Sequence, residues 1–138
     1  MDPNAENYVN DQSIEISWAM KASKQAEIHY NLLQAIKDCS KMRLTNRDNE
    51  IFNRFNEMFP DLKVDVISND DIKNPDAKAK WREYCMEFDG LVHDFNFASL
   101  LRLDSRKPYD EENTTIVPRV QFLAIEIARN RSNLNNNL

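Results

Sequence analysis

His29, His93, Cys39 and Cys85 are the only histidines and cysteines in this 138-residue chain. Zinc asks for such ligands in pairs a few residues apart, and none of the four stands at ligand spacing from another. His93-Asp94, with Asp89 close by, has the composition of an imidazole base oriented by a carboxylate, though a lone His-Asp dipeptide arises readily by chance. His29 falls on an apolar helical stripe, where a satisfied interior imidazole is the plain reading. Cys85 lies between Trp81 and Phe88 on a core face, a setting for an inert thiol rather than an electropositive nucleophile. No Asp-x-Asp pair occurs, and the acidic pairs Asp70-Asp71 and Glu111-Glu112 sit in polar turns. Gly90 is the only glycine, which excludes phosphate loops, dinucleotide fingerprints and serine nucleophile elbows. No catalytic set, cofactor or metal is expected, and the chain reads as non-enzymatic. An enzyme of unrecognised class centred on His93 and Asp94 is the alternative.

The cations divide into Arg102, Arg106 and Lys107, then Arg119, Arg129 and Arg131, with Lys78, Lys80 and Arg82 before an acidic stretch. Arg129 and Arg131 at a helix C-terminus answer the macrodipole. Arg102 interrupts an apolar segment, and Glu126 stands between Ile125 and Ile127. A charge in such a place either has an internal partner or serves a binding surface, and the sequence leaves both open. The net charge is -5 with 41% hydrophobic residues. That balance opposes general DNA or RNA binding, and the apolar content is ample for one folded domain. No apolar run approaches the ~20 residues that span a bilayer. The polar start MDPNAENYVN lacks a secretory signal, so a cytoplasmic monomer is expected.

The elements that must position these groups are mainly helical. Residues 1–10 read as a flexible leader and 132–138 as a disordered Asn-rich tail, flanking one domain over 11–131. The first helix is expected over 14–39, with Trp18, Ala22, Ala26, His29, Leu33 and Ile36 on one face. Ile14, Ala19, Tyr30 and Leu32 widen that face into the stripe of a central helix touched on several sides. A second helix is expected over 46–59, opened by Thr45 with Asp48 and ended by Pro60. Residues 63–68 alternate as a short strand, and Ser68 with Asp71 suits a single helical turn. Asn74 and Pro75 open a third helix, 75–88, stopped by Gly90. Residues 91–104 fit either period, with a strand preferred for the second half, pairing 98–103 with 63–68. The last helix is expected over 117–131. The fold class is therefore a mainly α, compact single-domain bundle of about four main helices with one small β-strand pair.

Three stretches, ISWAMKASKQAEIHY (16–30), AKWREYCMEFDGLVHDFNFASLLRLD (79–104) and YDEENTTIVPRVQFLAIEIARNR (109–131), resemble the polysaccharide-biosynthesis-domain-containing protein family (PBDC family) over about residues 8–131. The Asn-rich ending is similar to the family's short form. The resemblance implies a dedicated chaperone that assists newly made translation elongation factor 1-alpha through its GTP-binding domain near the ribosome. A ribosome-associated interaction module is a further alternative. Nothing in the residues supports the sugar chemistry of the family's name. A client-binding surface is expected on the last helix and the segments before it: Asp94, Asn96, Arg102, Tyr109, Arg119, Glu126, Arg129 and Arg131. An acidic chain suits a basic client, because opposite charge speeds encounter.

Overall fold

The computed structural model describes residues 3–136 and 138, with side chains from Ile16 onward. In chain order the elements are α1 (Pro3–Ala35), a 3-10 turn (Cys39–Lys41), α2 (Asp48–Met58), α3 (Asn69–Lys73), α4 (Pro75–Met86), β1 (Ala98–Arg102), β2 (Thr114–Pro118) and α5 (Arg119–Arg131). The fold is mostly helical, with one antiparallel two-stranded sheet. α1 already includes Pro3, so helix covers residues whose composition suggested a leader.

Local chemistry sets most boundaries. Ser68 and Asp71 form a reciprocal capping box that opens α3. The Asn74 side chain caps α4, and Pro75 fills its first position. After α4 the chain turns through Gly90 in the left-handed region, at φ 80°. The expected start of α2 is shifted: Arg47 is its cap position without a side-chain cap bond. The Asp48 carboxylate instead reaches back to the backbone N–H groups of Leu44 and Thr45.

α5 is the central helix. Val120, Leu123, Ala124, Ile125, Ile127 and Ala128 are buried apolar residues on it, and α2, α4, β1, β2 and the 3-10 turn all pack against it. The central position expected for the first helix is thus corrected. α1 lies at the periphery on a narrow stripe of Ala22, Ala26, His29 and Leu33, leaving Ile16, Met20, Ile28 and Leu32 exposed. Small alanines bring α1 close to the sheet, and the Trp18 indole N–H donates to Ala98 O at 2.8 Å. Across the core, Phe59 stacks on Trp81 at 4.0 Å, Tyr84 meets both edge-on, and the Tyr84 hydroxyl donates to Ile51 O at 2.7 Å.

The strand pair exists, but with a different partner. β1 pairs with β2, from Ala98↔Pro118 to Arg102↔Thr114, not with 63–68. That segment makes one isolated bridge, Val66↔Asp104. Its buried residues are Val64 and Ile67 while Val66 faces solvent, so the apparent alternation does not match the faces. The short connection 103–113 returns β2 to β1 at lower loop-closure cost than a pairing across the whole of α4.

Candidate functional site

The side chains best equipped for chemistry meet beneath α1, at the C-terminal half of α5. Glu126 is fully buried on α5 and accepts from two guanidinium groups. Arg129, one turn on, donates to its Oε1 at 2.7 Å, and Arg102, the last residue of β1, donates to its Oε2 at 3.2 Å. Both arginines are fully buried as well. Burial works to raise the Glu126 pKa. The charges of Arg129 and Arg102 and the Arg129 hydrogen bond, joined by His29 once acid protonates it, outweigh it and hold the carboxyl at about 2.

Above this cluster sit His29 and Tyr109. The Tyr109 hydroxyl lies 2.9 Å from His29 Nδ1, and His29 Nε2 lies 3.4 Å from Glu126 Oε2. Burial lowers the His29 pKa more than the neighbouring Glu126 charge raises it, and Arg102 and Arg129 lower it further. Burial likewise pushes the Tyr109 phenol up. A neutral imidazole facing a phenol that keeps its proton accepts at Nδ1, which leaves its Nε2–H near the carboxylate but without a hydrogen bond to it. Phe122 packs edge-on against the ring at 5.2 Å, and a cavity of about 250 Å³ beside it is lined by Leu32, Leu44, Leu100 and Arg119 among others.

With His29 neutral, two guanidinium groups and one carboxylate leave one excess positive charge. Backbone carbonyls and an amide balance it. Arg129 Nε donates to Val64 O at 2.7 Å and Nη2 to Leu103 O at 3.1 Å. Arg102 Nη1 donates to Ser105 O at 2.8 Å and Nη2 to Asn135 Oδ1 at 2.7 Å. The Asn135 amide donates in turn to Glu126 Oε2 and Asn130 Oδ1. Asn135 has no exposed surface, so the tail expected to be disordered is packed into the site at this residue. Asn113 secures the loop that carries Tyr109: it accepts from Asp104 N–H and donates to Pro108 O.

The eight expected surface residues therefore divide. Arg102, Glu126 and Arg129 are interior and cannot be direct contacts in this fold, which corrects their assignment to a binding surface; the internal-partner alternative holds for Arg102 and Glu126. Tyr109 is half-buried and joins them. Arg119 is half-buried on the rim of the 250 Å³ cavity. Asp94 and Asn96 are exposed on the turn before β1, where Asp94 lies 3.8 Å from Lys21. Arg131 is exposed, donating to Asn49 Oδ1 and covering the Phe52 ring at 4.5 Å. His93 Nε2 is 3.3 Å from Asp94 Oδ2, with the imidazole 93% exposed, where water screens the pair. Asn135 is the participant that sequence reasoning missed, because nothing in an Asn-rich run distinguishes one buried amide.

The cluster has little chemistry to offer a ligand: its carboxylate is engaged, and the donors without a partner, His29 Nε2, Arg102 Nε and Asn130 Nδ2, are buried away from solvent. Burial pushes the Cys85 thiol up to about 12, far from thiolate reactivity. Among the described residues no group of three His, Cys, Asp or Glu could hold a metal ion. No helix among them is long and apolar enough to cross a membrane.

The sequence pattern described as "PBDC1 protein" matches residues 14–138. The chain belongs to the PBDC1 family. It is 47% identical over 131 residues to Protein PBDC1 of Homo sapiens, covering 95% of this chain and 56% of that one. It is 42% identical to the PBDC1 homolog of Schizosaccharomyces pombe, covering 96% and 92%. The chain thus spans only about half of the human relative but nearly all of the fission-yeast one. A solution NMR structure of protein yst0336 from Saccharomyces cerevisiae superimposes with a TM-score of 0.81 at 39% identity, covering 90% of this chain and 87% of that one. The PBDC1 match includes every residue of the buried cluster, from His29 to Asn135.

Proposed function

We propose that this protein is a non-enzymatic cytosolic binding protein, a dedicated chaperone for newly made translation elongation factor 1-alpha that acts on its GTP-binding domain. The observation that carries the non-enzymatic part is the state of the polar cluster. Its carboxylate and both guanidinium groups are buried and mostly spent on one another and on backbone carbonyls, and the buried imidazole bonds the Tyr109 hydroxyl. Such a cluster holds a scaffold in one shape rather than turning over a substrate. The client comes from the family resemblance. The acidic net charge of -5 suits a basic client, and no nucleoside-phosphate loop is present to drive a cycle, so any switch resides in the client. Binding a folding intermediate more tightly than the finished product suffices to bias its folding and release.

The exposed candidates Asp94, Asn96 and Arg131, with the rims at Tyr109 and Arg119, remain for contact. The test is calorimetric titration of the full chain with the isolated GTP-binding domain, nucleotide-free and then with GDP or GTP. Saturable binding that weakens when nucleotide is added supports the reading. Absence of heat in every state, together with failure of the chain to associate with ribosomes translating the factor, refutes it.

A further inference from the structure

Between α4 and β2 runs an open cleft of about 450 Å³, separate from the buried cluster. Its floor is Trp81 and Cys85 from α4 with Val117 from β2, all buried. Met86 and Ile116 stand at its edge, 55% and 48% exposed, large apolar groups with no protein covering them. Lys73, Lys78 and Arg82 also line it, and no carboxylate does. Among the described residues none of these three cations has a carboxylate within ion-pair distance. In a chain of net charge -5, an acid-free apolar cleft with three unpaired cations is a local reversal of the prevailing charge.

We infer that this cleft is a docking site for an acidic peptide segment that packs a large apolar side chain against the exposed Met86 and Ile116 and sets carboxylates against Lys73, Lys78 and Arg82. Covering Met86 and Ile116 supplies affinity by burial, and the cations select the sign of the partner. Single-stranded nucleic acid fits less well. Trp81 is 3% exposed and offers no open ring on which a base could stack. Asn96, at the same cleft, adds an uncharged amide that can bond the incoming backbone. The inference does not depend on the identity of the client.

The experiment is an NMR titration of the full ¹⁵N-labelled chain with three probes. These are a short peptide of alternating Glu and Leu blocks carrying one Phe, the same peptide with Lys for Glu, and oligo-uridine RNA. The acidic peptide is expected to shift the Trp81 indole and Ile116 amide resonances saturably. The variant Lys73→Glu/Lys78→Glu/Arg82→Glu should weaken it by about tenfold, as loss of three partly solvated charge pairs would. A second variant with glutamine at the same positions guards against misfolding of the first and should weaken binding by a smaller factor. Shifts scattered away from the cleft, equal response to the lysine peptide, preferential binding of the RNA, or unchanged affinity in folded variants would each overturn the inference.

Discussion

Replacing Glu126 by glutamine isolates what the buried carboxylate contributes, because the side chain keeps its shape and one acceptor while losing its charge. Arg102 and Arg129 would then share a sealed site with no anion. Breaking a buried ion pair from one side costs about 3–5 kcal/mol. The titration of the same group gives a similar figure. A carboxyl moved from 4.5 in the reference state to about 2 in the fold corresponds to roughly 3 kcal/mol. For a chain of this size that loss lowers the melting temperature by about 10 °C. Because the folded-state pKa is depressed, the unfolded chain binds the proton more readily. The stabilisation is complete above about pH 4.5 and disappears as pH falls towards 2. Circular-dichroism melts and urea titrations at pH 7 measure the loss directly, and repeating them down to pH 3 should show the acid limb of the wild type shallower in the variant. A Glu126→Gln protein within ~1 kcal/mol of wild type at pH 7, with an unchanged acid limb, would show that the carboxylate is not the hub assigned to it.

Three further outcomes follow from the same geometry. His29 has a lowered pKa, so the unfolded chain takes up a proton below its ordinary 6.5 while the folded chain resists; wild-type stability should fall between pH 7 and 5.5 by up to about 1.4 kcal/mol, and His29→Gln should flatten urea midpoints over that range. Arg129→Glu sets two buried carboxylates against each other and should abolish cooperative unfolding, whereas Arg131→Glu, which loses an exposed hydrogen bond and a ring contact, should cost no more than about 1 kcal/mol and leave the melting curve cooperative. Asn135→Ala takes one of its acceptors from Arg102 Nη2, which keeps Glu126, and removes the donor to Asn130 Oδ1; a loss of about 1–3 kcal/mol in urea titration is expected, and no measurable loss would mean the tail does not pack.

The helices were legible because their signals are local. Ser68, Asn74 and Pro75 act within a few residues of themselves and do what their types suggest; Gly90 takes the left-handed turn but stands four residues beyond Met86, where α4 already ends with Glu87 as its cap. The apolar stripe of α1 was misread in breadth: Leu32 and Ala19 continue the pattern but face solvent, since periodicity reports which residues share a face and not whether a neighbour covers it. The strand at 98–102 was readable and its partner was not, because register between segments depends on the connection rather than on either strand's composition. The buried cluster was visible only as two charges in apolar surroundings, Arg102 and Glu126. Glu126 and Arg129 stand one helical turn apart, yet Arg129 reads from the sequence as answering the macrodipole, and nothing linear links the pair to His29 on α1 or to Asn135 in the tail.

The cluster also explains why a fold with so little regular β-structure tolerates irregular chain beside its core. The carbonyls of Val64, Leu103, Ser105 and Lys107 lie outside the regular strands and helices, and the two arginines donate to all four. A guanidinium carries five donors in a fixed fork, so one side chain can close several loose backbone ends where a methylene chain can close none. Ion-pair triads in regular cores can often be replaced by apolar residues with little loss, or with a gain. Here the same exchange, Arg102→Met with Glu126→Leu and Arg129→Met, removes the charges together yet leaves the carbonyls of Val64 and Ser105 without a donor, while Leu103 O keeps the Ile67 N–H and Lys107 O keeps the Asn113 amide. At about 1–3 kcal/mol for each orphaned acceptor that cannot reach water, the triple variant should be less stable than wild type by several kcal/mol, and loss of protection in amide exchange should concentrate at 64–67 and 103–107. Recovery of wild-type stability in the triple variant would mean that Arg102, Glu126 and Arg129 matter only to one another, and that the irregular segments are held by packing alone.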